Sequence, residues 1–154
     1  MKKILFIVAF FGVILSCTDE NAEDNFDTLN HSFFLGELDW LQSFGGSGND
    51  IPQAIITTSD GGYAVLGFTE SIDGDITGKS LAVNDYWLLK FDSEGNLEWN
   101  TTYGGSKDDR GQSLVQTTDG GYALTGYAMS DDGDGSENKG FHDNWIVKID
   151  ALGN

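Results

Sequence analysis

The chain has 154 residues, among them 21 glycines, one proline and one cysteine, and its 25 acidic and 8 basic side chains give a formal charge of −17. So acidic a surface repels phosphate backbones and anionic headgroups, which excludes nucleic acid as a partner and leaves divalent cations, basic partners and neutral glycans open. One cysteine excludes an intrachain disulfide, and many glycines beside frequent Trp, Tyr and Phe favour short strands joined by tight turns.

The opening residues are Lys2 and Lys3, an unbroken apolar run from Ile4 to Leu15, then Ser16 and Cys17. A positive start, an apolar stretch and a small residue at the cut make a secretory signal. As a helix the run would reach roughly 18 Å, against about 30 Å for a hydrocarbon core, so it is too short to span. Ile14 to Cys17, ILSC, resembles a bacterial lipobox, with Leu15 departing from the smaller residues commoner there. The resemblance implies removal of residues 1–16 and lipid on Cys17. Two or three acyl chains hold a protein firmly to a membrane, and bacterial lipoproteins carry that many, so the resemblance implies a firm anchor at the cell envelope, on the outer membrane. Residues 17–37 are then the lipidated cysteine and an acidic, aperiodic tether. Acids so soon after Cys17 also resemble the surface-export signals of some Gram-negative lipoproteins.

From residue 38 to residue 154 the chain repeats itself. Trp40 recurs as Trp99, FGGSGND (Phe44 to Asp50) as YGGSKDD (Tyr103 to Asp109), and TTSDGGYAVLG (Thr57 to Gly67) as QTTDGGYALTG (Gln116 to Gly126), all at an offset of 59. DYWLLKFDSEGN (Asp85 to Asn96) returns as DNWIVKIDALGN (Asp143 to Asn154) at an offset of 58. The two units run over about 40–98 and 99–154. Within the first, strands are expected at Ala54 to Thr58, Tyr63 to Phe68, Tyr86 to Phe91 and Leu97 to Tyr103. Turns lie at Ser59 to Gly62 and Ser93 to Asn96, where Asp-Gly and Gly-Gly supply positive φ cheaply. The fold class is therefore all-β, as two four-stranded antiparallel repeat units.

The pattern W-x3-[FY]-GGS-x2-D, DGGY-A-x2-G, D-x-W-[IL]-[LV]-K-[FI]-D-x2-GN resembles the roughly 60-residue β-propeller repeats of bacterial secreted and surface proteins. The resemblance covers residues 40–154 and implies propeller blades, a fold that serves as scaffold or binding surface and does not fix an activity. Two blades make an incomplete propeller. The module opens on a strand of the last type (Leu38 to Phe44), completes one set of four and ends after three. Two explanations stand: the chain is a truncated fragment of a longer propeller, or several copies self-assemble by strand exchange, each donating its opening strand to a neighbour.

Each unit carries an acidic loop between its second and third strands, Ser71 to Gly78 and Ser130 to Gly140. Oxygen donors alternating with glycine suit Ca²⁺, with Asp73 and Asp75, Asp132 and Asp134 as ligands and Asp131 and Glu137 as additions; the competing reading is turns whose aspartates bond their own backbone. Asp50 and Asp109 after the GGS turns, and Asp60 and Asp119 in the hairpins, are expected to be structural. Trp40, Trp87, Trp99 and Trp145 are expected to pack blades rather than stack sugars, and Lys90 and Lys148 to pair with nearby aspartates. Only His31 and His142 are present, without G-x-S-x-G, HExxH or a phosphate-cradling loop, so catalysis, including hydrolysis, is disfavoured. The expected role is a non-enzymatic scaffold or binding module, with calcium-dependent or glycan binding as the alternative.

Overall fold

The computed structural model describes residues 37–135 and 137–154. The expected signal (1–16), Cys17, His31 and all but the last residue of the tether lie outside them. Every strand falls within the compact unit Trp40–Asn154. Among the described residues no helix is long and apolar enough to cross a membrane.

The unit is all-β. Strands β1 (Asp50–Thr57), β2 (Tyr63–Thr69), β3 (Asp85–Phe91) and β4 (Leu97–Tyr103) form one antiparallel sheet in the order β1-β2-β3-β4. Strands β5 (Asp109–Gln116), β6 (Tyr122–Ala128) and β7 (Asp143–Ile149) form a second sheet of three in the order β5-β6-β7. The repeat is exact down to an irregularity: β1 bulges between Pro52 and Ala54, and β5 between Gly111 and Ser113. β1 starts at Asp50, ahead of the expected Ala54, because edge position and bulge accommodate Pro52, which has no N–H to donate.

The hairpins show why the DGG triplet is needed. Thr58 N donates to Gly62 O and Gly61 N to Thr58 O, both at 2.9 Å, and only Gly61 of the pair has a positive φ, 87°. Gly62 is glycine for a different reason: a Cβ there would run into the Phe91 carbonyl oxygen of β3. Thr117 to Gly121 repeats the arrangement, with Gly120 at φ 84°.

The two sheets stack face to face. Ala64, Leu66, Tyr86 and Leu88 on the back of the first meet Leu114, Tyr122, Leu124 and Ile149 on the front of the second, with Trp99 and Trp145 packed on their margin. The front of the first sheet buries Trp87, Leu89 and Phe91, against which Phe44, Tyr63 and Val65 pack.

One expectation fails. Leu38 to Phe44 carries no strand. A strand needs a backbone partner, and the edge this segment would complete by the repeat, that of β7, belongs to the other sheet. Trp40 and Phe44 nevertheless hold side-chain positions that the repeat assigns to a last strand. Trp40 stands edge-on to Tyr63 at 6.1 Å and 64°, as Trp99 of β4 stands to Tyr122 at 6.0 Å and 70°. Phe44 lies 4.9 Å from Phe91, centroid to centroid.

Candidate functional site

The acidic loops and the GGS turns are one structure, built twice. In the first unit Gly45 N donates to Asp75 Oδ2 at 2.9 Å, Gly46 N to Asp50 Oδ2 at 2.8 Å, Ser47 N to Asp73 Oδ1 at 2.7 Å and Gly48 N to Ser71 Oγ at 2.9 Å. The second unit repeats all four: Gly104 N to Asp134 Oδ2 at 3.1 Å, Gly105 N to Asp109 Oδ2 at 3.0 Å, Ser106 N to Asp132 Oδ1 at 2.8 Å and Lys107 N to Ser130 Oγ at 2.9 Å. The loop answers in kind, Asp75 N donating to Gly45 O and Asp134 N to Gly104 O, both at 3.0 Å. Glycine is required on both sides of this contact, since a Cβ on Gly46 would collide with Asp73 and one on Gly74, at φ 67°, with the Gly45 carbonyl.

Four amides in a row pointing at oxygens make an anion-holding concavity, and here three of the chain's own carboxylates and a serine hydroxyl fill it. The Ser47 amide holds the Asp73 carboxyl below its ordinary range. Asp131 is set apart: it pairs with Lys107 at 2.8 Å, which lowers its carboxyl in the same way. Glu137 lines an open concavity of about 650 Å³ running along β7 with Asp134, Asp143, Trp145 and Ile146. Asp73 and Asp75, and likewise Asp132 and Asp134, are thus brought together across a GGS turn. Among the described residues no group of three or more carboxylate, histidine or cysteine side chains is placed to share a metal ion.

Asp109 is fully buried; its Oδ1 accepts Met129 N at 2.8 Å and Ser130 N at 3.0 Å, while Oδ2 takes the Gly105 amide. Asp50, half-buried, accepts the Thr69 hydroxyl on Oδ1 and the Ser71 hydroxyl, at 2.9 Å, on Oδ2. Asp60 accepts the Thr58 hydroxyl and the Gly62 amide and pairs with Lys90 at 2.9 Å; these three hold its carboxyl well below the usual range, the Thr58 bond foremost. Asp119 does the same with Thr117, Gly121 and Lys148. Trp87 is buried and donates Nε1 to Asn100 Oδ1 at 3.0 Å; Trp145 stands edge-on to Tyr86 at 5.1 Å. His142 sits between the rings of Tyr127 and Phe141.

A second polar group went unread in the sequence. Lys79, buried in the loop before β3, donates to the carbonyls of Leu81 and Val83 and to Asp85 Oδ2, the last at 2.9 Å. The other oxygen of Asp85 is buried and without a partner, as is Asn84 Oδ1. Burial raises the Asp85 carboxyl to about 6, against the pull of Lys79 and aided by the charges of Asp109 and Asp134. Nothing in the repeat announces it, because Asp143, its counterpart, is met by the backbone amide of Lys139 and not by an ammonium.

The front of the first sheet is the other concave feature. Trp40, Phe44, Ile51, Ile55, Tyr63 and Trp87 are among the residues lining an apolar groove of about 290 Å³ there. No family model matches the chain, and no curated protein matches it at a significant level.

Proposed function

We propose that this chain is a non-enzymatic envelope protein, lipid-anchored through Cys17 to the outer membrane, whose repeat module is a stretch of β-propeller serving as a scaffold or binding surface. The observation that carries the propeller reading is the paired relation of Trp40 to Tyr63 and of Trp99 to Tyr122, at 6.1 Å and 6.0 Å. Each unit receives on its front the side chains of the segment preceding it, which is how successive blades stack in a radial repeat. The scaffold reading draws on where the recurrent polar residues go. Asp50, Asp60, Asp109 and Asp119 all bond hydroxyls or amides of their own turns.

The anchor is tested by expressing the chain and its Cys17→Ala variant in a bacterial host fed labelled palmitate. The label and the outer-membrane fractionation should both vanish in the variant; a variant that still pellets with the outer membrane sinks the lipid anchor. The binding role is tested on a glycan array with and without chelator. Chelator-sensitive capture would replace the scaffold reading by calcium-dependent glycan binding.

A further inference from the structure

Between the two stacked sheets, beside the hairpin turns at Asp60 and Gly120, lies an open cleft of about 340 Å³. The first unit lines it with Asp60, Lys90, Glu98 and Trp99, and the second with Gln116 and Tyr122. Most of these polar groups satisfy one another. Lys90 Nζ donates to Phe91 O at 2.8 Å and Glu98 Oε2 at 2.6 Å, and pairs with Asp60 Oδ2 at 2.9 Å. Its three donors are then used, and none is left to clamp an anion. Gln116 accepts the Ser59 amide at 2.8 Å and donates to Gly120 O at 3.3 Å. Two groups remain. Glu98 keeps its other oxygen, on a side chain 44% exposed. Tyr122 is 1% exposed, and among the described residues its hydroxyl makes no hydrogen bond, although the charges of Lys90, Asp60 and Glu98 all act on it. Other tyrosine hydroxyls are met: Tyr103 donates to Gly153 O and Tyr127 to Asp108 Oδ2, both at 2.9 Å. A buried hydroxyl without a partner, lining a cleft, calls for a ligand that supplies one.

The chemistry narrows what that ligand is. Two carboxylates against one ammonium leave the cleft acidic, so it repels anions. The place a cation would take between Asp60 and Glu98 is already held by Lys90. Trp99 and Tyr122, edge-on at 6.0 Å and 70°, give an aromatic wall. Burial raises the Tyr122 hydroxyl, so its proton stays on and can be donated. A wall of this kind with one free acceptor and one free hydroxyl suits a ring bearing alcohols, because an alcohol both donates and accepts. The volume lies within the range of about 300–1,000 Å³ usual for small-molecule sites. We propose that this cleft binds a neutral sugar without calcium, one ring resting on Trp99 and Tyr122 with a hydroxyl shared between the Tyr122 hydroxyl and the free oxygen of Glu98. The inference rests on the binding-surface reading and needs neither the anchor nor the propeller.

The test uses the full chain in a detergent without a sugar headgroup, with chelator present throughout. Glucose, galactose, mannose and N-acetylglucosamine are titrated in and followed by calorimetry and tryptophan fluorescence. At least one should bind in the millimolar range, and Tyr122→Phe and Glu98→Gln should each weaken it about fivefold or more. Tyr63→Phe, the repeat counterpart of Tyr122 in the apolar groove, should leave binding unchanged. All three variants should keep the parent's circular dichroism. Should Tyr122→Phe fail to fold, Glu98→Gln decides alone, since its side chain is half exposed and its amide oxygen still accepts from Lys90. Binding that ignores the cleft variants overturns the site, and so does tetramethylammonium binding more tightly than every sugar. No heat with any of these sugars is equally fatal. If glycans on an array are nevertheless captured, and Tyr122→Phe retains the capture, the cleft falls and the binding role stands. If the array too stays blank, both fall.

Discussion

Leu88 and Ile146 occupy the same place in the repeat, yet Leu88 is sealed from solvent and Ile146 is 68% exposed. The backbone around them is alike: Leu88 pairs with Leu66 across β2–β3 as Ile146 pairs with Thr125 across β6–β7. What differs is the next layer. A second sheet covers Leu88 and β4 flanks it, and among the described residues neither has a counterpart beside Ile146. Burial here belongs to position in the stack.

Leu88→Ala should accordingly destabilise the fold by about 2–5 kcal/mol, the usual cost of emptying a filled core site. Ile146→Ala, measured at a concentration where the chain is monomeric, should stay within about 0.5 kcal/mol, as surface changes do. Urea unfolding of the two variants decides it. Equal losses would mean that Ile146 is covered in the isolated chain as well.

Asp109 and Asp50 are repeat partners with different tolerance for losing charge. Every contact of Asp109 comes from a backbone amide, so an asparagine placed either way sets its NH₂ against an N–H. Asp109→Asn should cost about 1–3 kcal/mol for the buried donors left unmet. At Asp50 one oxygen faces the Thr69 hydroxyl, which can turn and accept. Asp50→Asn should cost under about 1 kcal/mol, and thermal melts of the pair should rank them in that order.

The strands, the hairpins and the count of four and then three were legible because repetition doubles every signal: DGGY marks a turn followed by a strand wherever it occurs. The acidic loops were less legible. Spacing alone brings oxygens together in Asp73-Gly74-Asp75 and is silent on whether a metal or an amide meets them; the GGS turns that supply amides lie 26 and 30 residues away. The pairing of Lys79 with Asp85 is not legible in the sequence, since it is made in one unit only and no repetition marks it. Leu38 to Phe44 reads as a strand in the sequence because strand propensity is local, but pairing requires an edge, and no local pattern shows whether one is within reach.

Two glycines separate strain from space. Gly61 has φ 87° with nothing within 4 Å of a Cβ, so Gly61→Ala meets only the left-handed backbone and should cost about 1–2 kcal/mol. Gly67 lies in β2 opposite the bulge, and a Cβ there would overlap the Ile51 carbonyl and press on Pro52. Gly67→Ala should cost about as much or more, up to about 3 kcal/mol, by forcing β1 off the sheet. Hydrogen exchange would tell them apart: β1 amides should lose protection in Gly67→Ala and keep it in Gly61→Ala.

Asp85 gives the fold an acid-favoured component. Its carboxyl stands at about 6 in the folded chain and at about 3.9 when unfolded, because burial leaves Oδ1 without a partner and Lys79 neutralises only one side. A raised carboxyl means that the folded state holds the proton more tightly. The stabilisation is therefore full below about pH 4 and fades as pH rises to about 6. The lowered carboxyls of Asp73 and Asp131 act the other way: their contribution is present above about pH 4 and lost as pH falls further, so the two effects occupy separate windows. Asparagine imitates the protonated form, so Asp85→Asn should be more stable than the parent at pH 7, by about 1–3 kcal/mol, with the difference shrinking toward zero between pH 6 and pH 4. Denaturant unfolding at pH 7, 5.5 and 4 reads this directly. A variant weaker than the parent at pH 7 would mean that the attraction of Lys79 exceeds the desolvation of its partner.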